Sequence, residues 1–368
     1  MQWKKDLQNN IRDVAELEAK TSIVVKDREG YQKLLETYPM SVTDYYLSLI
    51  DFNDPDDPIR KMCIPSLSEL SASGFDDTSG EQVHTVVEGM QHKYQQTVMI
   101  LSNHNCAMYC RHCFRKRMVG ASASETAKEF KRLSTYIKEH KQITNTLISG
   151  GDSFLSDNEV IEQYLKEFTE IDHLDFIRFG TRTPVVFPQR ITEDEELQNI
   201  LKKYAKRKAI YIVTHFNHPR EFTDQSAEAI KVLKECGLTI KNQTVLLKGV
   251  NDYPETLSEV LKNLTRWGVS PYYIFQCRPV KGAKDLFQVP IKQGIEIINQ
   301  VNKLQDGLGK SYKYAMSHEI GKIEIVGNLD EKSTIFKYHQ AKNIEDTGKV
   351  FLRELGENEC WLENKGNQ

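Results

Sequence analysis

The stretch TVMILSNHNCAMYCRHCFRKR, residues 97–117, begins as a short apolar strand and continues into a loop with three cysteines and a basic run. An apolar strand that ends in reactive side chains is typical of a parallel βα sheet, because such sheets carry their chemistry at the carboxyl ends of the strands. The stretch therefore predicts an α/β fold whose first parallel strand leads directly into a functional loop.

The same pattern repeats along the chain. Segments with the apolar spacing of helices separate six apolar runs, at residues 97–101, 145–150, 175–180, 209–216, 244–247 and 272–276. No hairpin signal joins these runs, so we expect parallel strands with right-handed crossovers. A Ser, Thr or Asp three residues before a Glu predicts helix starts at Ser122, Ser156, Thr192 and Asp252.

These units predict a partial (βα)6 TIM-like barrel over residues 97–328, after a helical lead-in of residues 1–96 and before a polar extension of residues 329–368. Polar clusters follow nearly every predicted strand, at residues 103–106, 149–152, 180–184, 214–219, 242–244 and 276–279. Turn chemistry explains one or two such clusters, but hardly His, Arg, Gln and Cys at six strand ends. We therefore expect an active site on one rim of the barrel.

Composition limits the function classes. The chain has 368 residues, 27% of them charged, with a formal net charge of −3, which gives no general case for nucleic acid or membrane binding. Its start is polar and no apolar run reaches 18 residues, so we expect a cytoplasmic protein. An odd count of seven cysteines does not resemble a disulfide framework.

Three explanations compete for the cluster of Cys106, Cys110 and Cys113. A zinc site needs a fourth ligand such as His104 or His112, although His112 directly precedes Cys113 and shared coordination is awkward there. A chance cluster of buried thiols is the second explanation, and an iron–sulfur cluster is the third. Three thiolates leave one iron of a four-iron cluster without a protein ligand, so that iron can bind a small molecule.

The C-x3-C-x2-C loop resembles that of the radical S-adenosylmethionine (SAM) superfamily. Further motifs occur in the order found in the lysine 2,3-aminomutase family, over about residues 50–300: CAMYCRHCFRKR, LISGGD, RTPVVFPQRIT, THFNHP, NQTVLLKGVND and YYIFQC. This resemblance implies a radical SAM enzyme of the isomerase class.

The resemblance also implies roles for individual residues. Cys106, Cys110 and Cys113 would ligate a [4Fe–4S] cluster whose open iron chelates SAM. The residues expected around SAM are Gly150, Gly151 and Asp152 at its amino group, His112 at its adenine, and His215 and Gln243 at its ribose or carboxylate side. Arg115 is expected to pair with the α-carboxylate of the substrate, while Lys116 and Arg117 are interpreted as a solvated face.

Reduction of the cluster would cleave SAM to a 5′-deoxyadenosyl radical that takes a hydrogen atom from an unactivated carbon. The implied partners are an amino-acid-like substrate and an electron donor such as flavodoxin or ferredoxin, with a homo-oligomer left open. Only Cys360 remains of the C-terminal cysteine cluster that binds zinc in some relatives, so a zinc-bridged dimer is not supported.

The family also uses pyridoxal phosphate (PLP), held by a Lys after a Gly-rich loop and by two arginines in a His-Arg-Tyr-x-x-Arg pattern. Here HKYQQT, residues 92–97, puts Lys93 and Thr97 at the arginine positions. The shortened loop HEIGK, residues 318–322, leaves Lys322 as the candidate for the PLP imine.

Substrate recognition departs from the family pattern. Two aspartates hold the distal ammonium of lysine in the family, but this chain has Arg278 at the first position and Ser317 or His318 near the second. A cation there argues against lysine and favours an acidic side chain, a phosphate or a second carboxylate. Neutralisation of Arg278 by a neighbouring acidic residue is the structural alternative.

Three functions remain open from the sequence. The first is a PLP-dependent 2,3-aminomutase acting on an amino acid other than lysine. The second is a PLP-independent radical SAM enzyme that ends in a dehydrogenation, isomerisation or epimerisation. The third is a zinc-stabilised binding protein without catalysis.

Overall fold

The computed structural model of the protein describes residues 2–120 and 125–363. Within these residues twelve strands form one sheet: β1 Thr85–Val87, β2 Met90–Tyr94, β3 Thr97–Asn103, β4 Asn145–Gly150, β5 Phe176–Gly180, β6 Ala209–Thr214, β7 Thr239–Leu246, β8 Ser270–Gln276, β9 Lys313–His318, β10 Gly321–Asn328, β11 Ser333–Ala341 and β12 Val350–Glu354. The helix start predicted at Ser122 lies outside the described residues.

Every strand pairs with the next strand in the chain. β3 to β9 run parallel, whereas β1, β2 and β3 pair antiparallel at one end and β9 to β12 pair antiparallel at the other. The α/β fold and the six predicted strands are confirmed as β3 to β8, and β9 adds a seventh parallel strand. The domain boundaries after residues 96 and 328 stay a prediction, since the sheet continues across both.

Helices of the parallel region follow the strands in alternation: α6 Phe130–Glu139, α7 Asn158–Thr169, α8 Thr183–Val186, α9 Gln189–Thr192, α10 Glu195–Ala205, α11 Asp224–Glu235, α12 Pro254–Arg266, α13 Lys284–Phe287 and α14 Ile291–Lys303. The segment before the sheet holds α1 Gln2–Asp6, α2 Val14–Lys20, α3 Arg28–Thr37, α4 Asp44–Leu47 and α5 Pro58–Cys63. None of the described helices is long and apolar enough to cross a membrane.

Helices pack on the sheet through one apolar face. In α12 the side chains of Leu257, Val260, Leu261 and Leu264 recur at helical spacing, and all four are buried. Burial of such a side chain stabilises the fold by about 1.5–3 kcal/mol relative to exposure. Along β5, Ile177 and Phe179 also belong to this core.

The opposite face of the sheet surrounds a shared interior. Lys93 Nζ in β2 donates a hydrogen bond to the carbonyl of His318 in β9 (2.8 Å). Lys322 Nζ in β10 lies 5.8 Å from the ring centroid of Tyr94 in β2. Because these contacts join strands from opposite ends of the sheet, the sheet curls as the predicted partial barrel requires.

Candidate active site

The cysteine loop between β3 and α6 is held against the N-terminal segment. Tyr109 N donates to the carbonyl of Ser41 (3.0 Å), and Asn10 Nδ2 donates to the carbonyl of Ala107 (2.7 Å). Arg111 N donates to the carbonyl of Met62 (2.9 Å). Backbone contacts thus fix the loop directly beyond the carboxyl end of β3.

All three thiols of this loop are free. Burial, Asp152 and the two other thiols raise the pKa of Cys106 well above that of an ordinary thiol. Burial and Cys110 raise the pKa of Cys113 to about 11. Three soft donors within electrostatic reach of one another are a donor set that suits an iron–sulfur cluster. Among the described residues, no group of three or more His, Cys, Asp or Glu side chains is arranged to hold one metal ion, whereas in a four-iron cluster each thiolate would bind a different iron.

Two glycines let the loop after β4 run beside the cysteine loop. Gly151 N donates to the carbonyl of Asn103, and Asp152 N donates to the carbonyl of Asn105, both at 2.7 Å. Gly150 has a φ of 121°, and a Cβ there would lie 2.3 Å from the Asn103 oxygen. A Cβ on Gly151 would lie 2.3 Å from the Asn105 oxygen. The motif therefore requires glycine at both positions.

The carboxylate of Asp152 joins the loops after β4 and β5. It accepts hydrogen bonds from Thr181 Oγ1 (2.6 Å), Arg182 N (2.7 Å) and Phe154 N (3.0 Å). Burial raises the pKa of Asp152, although these donors oppose the change. Its expected contact with the SAM amino group stays a prediction, as do those of Gly150 and Gly151.

The histidines expected around SAM lie at the same rim. His215 Nδ1 is 3.0 Å from the carbonyl oxygen of Gln243, and burial with Arg182 nearby lowers the pKa of His215 to about 4. Burial also lowers the pKa of His112 well below its ordinary value. His112 Nδ1 is enclosed without a hydrogen-bond partner among the described residues. That orphaned nitrogen fits a ligand contact, and the roles of His112, His215 and Gln243 stay predictions.

Arg182 connects this rim to the cysteine loop, and it was missed in the sequence. Its Nη1 donates to Cys110 Sγ (2.8 Å), and its Nε donates to the carbonyl of His215 (3.1 Å). Its Nη2 pairs with Glu221 Oε1 at 2.5 Å, and both side chains are buried. The signal in the sequence was the GTRTP cluster after β5. This cluster predicted that Arg182 lies at the rim, but it did not indicate which residues Arg182 contacts.

Arg115 is buried and oriented by Glu81. Arg115 Nε lies 2.7 Å from Glu81 Oε1, and Arg117 Nη2 lies 2.9 Å from Glu81 Oε2. Burial alone would raise the pKa of Glu81, but the two arginines lower it below its usual value. Arg115 Nη1 also reaches Ser149 Oγ (3.3 Å) at the end of β4. The sequence did not identify Glu81, because its partners lie more than 30 residues away.

The interpretation of Lys116 and Arg117 as a solvated face is wrong. Lys116 is buried, with Nζ 2.7 Å from Glu69 Oε2 and 2.8 Å from the carbonyl of Arg111. Arg117 is partly buried and also pairs with Glu125 Oε1 (2.6 Å). The physical reason is that the basic run folds back onto acidic residues of the lead-in.

Arg278 follows β8 and faces hydroxyl groups. Its Nη2 donates to Ser317 Oγ (2.7 Å), and its Nη1 contacts Ser79 Oγ and Thr78 Oγ1. Its guanidinium carbon lies 4.2 Å from the ring centroid of Phe114. Burial lowers the pKa of Arg278 to about 10. Among the described residues no carboxylate lies within ion-pair distance of Arg278, although the charges of Glu81 and Asp77 act on its guanidinium.

Lys93 and Lys322 add two cations to this interior. Burial and Arg278 lower the pKa of Lys93 to about 7. Burial, with Arg178 and Arg278 nearby, lowers the pKa of Lys322 to about 7. Lys322 Nζ lies 4.9 Å from the ring centroid of Tyr273 and makes no hydrogen bond to the described residues. The roles proposed for Lys93 and Lys322 with PLP stay predictions.

Comparison with known proteins shows the family of this chain. The family model described as "Radical SAM superfamily" matches residues 100–264. The L-lysine 2,3-aminomutase of Clostridium subterminale is 40% identical over 80% of this chain and 70% of that protein. The L-lysine 2,3-aminomutase of Methanococcus maripaludis is 41% identical over 81% of this chain and 69% of that protein. This chain belongs to the lysine 2,3-aminomutase family of radical SAM proteins.

Family membership confirms the predictions of a [4Fe–4S] cluster and SAM as cofactors. The protein is a radical SAM enzyme with aminomutase relatives, and such enzymes act on small molecules with an electron donor. The Glutamate 2,3-aminomutase of Clostridioides difficile is another relative, 37% identical over 83% of this chain and 72% of that protein. The alternative of a non-catalytic zinc protein gains no support from these relatives.

Proposed function

We propose that this protein is a PLP-dependent 2,3-aminomutase whose substrate is an amino acid other than lysine, with an anionic side chain. The observation that carries the proposal is Arg278, a cation in the interior whose hydrogen-bond partners among the described residues are all hydroxyl groups. A lysine substrate would bring its distal ammonium toward this guanidinium, and like charges at short range repel each other strongly. An anion would instead gain charge-assisted hydrogen bonds.

The surroundings of Arg278 support a binding role over a structural one. Three hydroxyl groups and the Phe114 ring hold the side chain without neutralising it. Lys93 lies close enough for Arg278 to lower its pKa, so two positive charges share this part of the interior. A substrate carboxylate would offset both charges.

Arg115 and Lys322 complete the proposed arrangement. Arg115 would bind the α-carboxylate, since Glu81 fixes its Nε and leaves the two Nη atoms directed at Ser149 and Met99. Lys322 would attach PLP, because an amine with a pKa of about 7 is largely neutral and nucleophilic at physiological pH. Bound PLP supplies the chemistry that lets an amino group migrate between adjacent carbons.

The test is anaerobic reconstitution with iron, sulfide, SAM and PLP, followed by incubation with deuterated glutamate or deuterated lysine. We expect deuterium in 5′-deoxyadenosine, and a 3-amino product, from the acidic amino acid only. Arg278→Gln should lower kcat/KM for that substrate by about 100-fold, while Arg207→Gln, a surface charge control, should not. Turnover of lysine with no turnover of the acidic amino acid would refute the proposal.

One observation favours a second candidate, hydrogen abstraction without PLP. Thr97 stands where the family has a phosphate-binding arginine, and its Oγ1 donates to Asn145 Oδ1 (3.1 Å). The candidate predicts that deuterium reaches 5′-deoxyadenosine in protein free of PLP. It fails if transfer depends on added PLP and on Lys322.

A further inference from the structure

Arg178 lies at the middle of β5, between Leu147 of β4 and Tyr211 of β6 in the sheet register. Its chain neighbours Ile177 and Phe179 are buried in the core under the helices. Since side chains alternate along a strand, Arg178 points to the opposite face, into the interior that also holds Lys322. The mechanism described above uses no side chain of β5.

The guanidinium of Arg178 has donors that no described residue uses. Its Nη2 donates to Asn145 Oδ1 at 2.6 Å. Its Nε is enclosed without any hydrogen-bond partner, and its Nη1 makes no hydrogen bond to the described residues. Among the described residues, no carboxylate forms an ion pair with Arg178. An enclosed cation with unused donors is costly unless an anion compensates it.

The groups around Arg178 offer no such anion. Tyr272 and Tyr273 are the titratable groups that act on it, and neither is a carboxylate. The other groups that act on the neighbouring amine of Lys322 are Arg278 and Lys93, which are basic as well. Glu81 and Asp77 act on Arg278 but not on Arg178, and Glu81 is itself paired with Arg115 and Arg117. The region therefore has an excess of positive charge.

Asn145 fixes where the free donors of Arg178 lie. Its Oδ1 accepts hydrogen bonds from both Arg178 Nη2 and Thr97 Oγ1, so one side-chain oxygen ties β5 to the start of β3. Asn145 Nδ2 is anchored on the carbonyl of Gln96 (3.0 Å). Arg178 is thus held beside the neutral hydroxyl of Thr97, and its charge acts on Lys322.

We propose that Arg178 binds the phosphate of a phosphate monoester inside the curled sheet. A dianionic phosphate matches the excess of cations better than a single carboxylate does, and guanidinium groups bind phosphate through several hydrogen bonds. Resting on the proposed function, the monoester is PLP, with Arg178 at its phosphate and Lys322 at its carbonyl end. A phosphorylated substrate is the other source of the same chemistry.

The experiment compares PLP with pyridoxal, which lacks the phosphate, in the cluster-loaded protein. Binding is followed by the absorbance of the PLP–lysine linkage, with inorganic phosphate as competitor. Wild-type protein should bind PLP more tightly than pyridoxal, and inorganic phosphate should weaken PLP binding alone. Arg178→Gln should weaken PLP binding by about 10–100-fold and leave pyridoxal binding unchanged. Arg207→Gln should match wild type.

Arg178→Lys keeps the positive charge. It replaces Arg178→Gln in the binding experiment if thermal unfolding and iron content show that the Gln variant does not fold. It should lose most of the preference for PLP over pyridoxal. If both variants bind PLP as wild type does, and phosphate still competes, the inference is wrong while the proposed function stands.

The reverse outcome separates the two claims. If wild type forms no PLP linkage, but inorganic phosphate raises its Tm and does not raise that of Arg178→Lys, the PLP-dependent function fails. In that case the phosphate site stands and a phosphorylated substrate is its ligand. If neither PLP nor inorganic phosphate binds wild type, both claims fail.

Discussion

Arg182 Nη1 donates a hydrogen bond to Cys110 Sγ across 2.8 Å, so a buried guanidinium directly contacts the sulfur of a predicted cluster ligand. Hydrogen bonds and charge near the sulfurs set the potential of iron–sulfur clusters. A cation there stabilises the reduced cluster, and its removal should make reduction harder. We expect Arg182→Met to lower the midpoint potential by about 60 mV, or about 1.4 kcal/mol for one electron.

A redox titration followed by electron paramagnetic resonance measures this potential. Glu221→Gln is the matched control, because it removes the ion-pair partner of Arg182 but keeps the contact with Cys110. An unchanged potential in Arg182→Met with full iron content would show that the contact does not tune the cluster.

Gly151 permits the close approach of two loops, and Gly151→Ala should separate them. The added Cβ would lie 2.3 Å from the Asn105 oxygen, so the backbone must move. We expect SAM affinity to fall by about 10-fold or more, measured by calorimetry on reconstituted protein. Gly307→Ala is the control, since a Cβ there meets nothing within 4 Å. Equal SAM affinity in both variants would contradict the role given to this approach.

Lys322 should give PLP attachment an unusual pH dependence. Burial, Arg178 and Arg278 lower its pKa to about 7, so the amine is protonated below that pH and neutral above it. The rate of linkage formation should therefore rise with pH and level off between pH 7 and 8, whereas an ordinary lysine would keep gaining rate through pH 9. Stopped-flow absorbance from pH 6 to 9 measures it, and Lys322→Ala should show no linkage. A rate still rising at pH 9 would contradict the low pKa.

Glu69 should hold the cysteine loop to the lead-in. It is buried between Arg111 Nη2 (2.5 Å) and Lys116 Nζ (2.7 Å). Removing one member of a buried ion pair costs about 3–5 kcal/mol, so Glu69→Gln should lower the free energy of unfolding by that amount at pH 7. Urea unfolding measures the change, and exposed Glu259→Gln should stay within about 0.5 kcal/mol of wild type.

The pH dependence gives Glu69 a second test. Burial raises the pKa of Glu69, but Arg111 and Lys116 more than offset this and leave it below its usual value. A carboxyl with a lowered pKa stabilises the fold above its unfolded pKa, and loses that contribution as pH falls through the folded value. The difference between wild type and Glu69→Gln should therefore shrink below about pH 4.

Six of the parallel strands were predictable because each contains an apolar run buried on at least one face. The predicted run at residues 145–150 coincides with β4. β7 begins at Thr239, before the predicted run at residues 244–247. The prediction began too late because Lys241 and Gln243 interrupt the apolar pattern of this strand. β12 was missed for a related reason, since residues 350–354 include no buried side chain.

Helix starts were predicted less well. The caps of α7 and α10 are Asp157 and Asp194, one and two residues after the predicted Ser156 and Thr192. α12 begins after Tyr253, since Asp252 uses Oδ1 to accept a hydrogen bond from Gly249 N. Several acceptors close together in sequence compete for one helix end, and the choice depends on tertiary contacts.

For the candidate site, single motifs pointed to the loops but not to the contacts between them. Cys106, Cys110 and Cys113 follow a spacing readable in one segment. The pairing of Arg115 with Glu81, or of Arg182 with Glu221, joins segments that only the folded sheet brings together. The sequence therefore indicated which residues are cations, but only the folded structure shows which of these cations pair with an acidic residue.

The agreement between strand order and chain order has a consequence for synthesis on the ribosome. Each strand can pair with one that has already been made, and the hydrogen bonds of the cysteine loop described above all come from residues before about 220. The cluster-binding half can therefore assemble while β7 to β12 are still unmade, as N-terminal regions generally fold first. Arg278 and Lys322 are synthesised later, so these two cations join the site after the cysteine loop has folded.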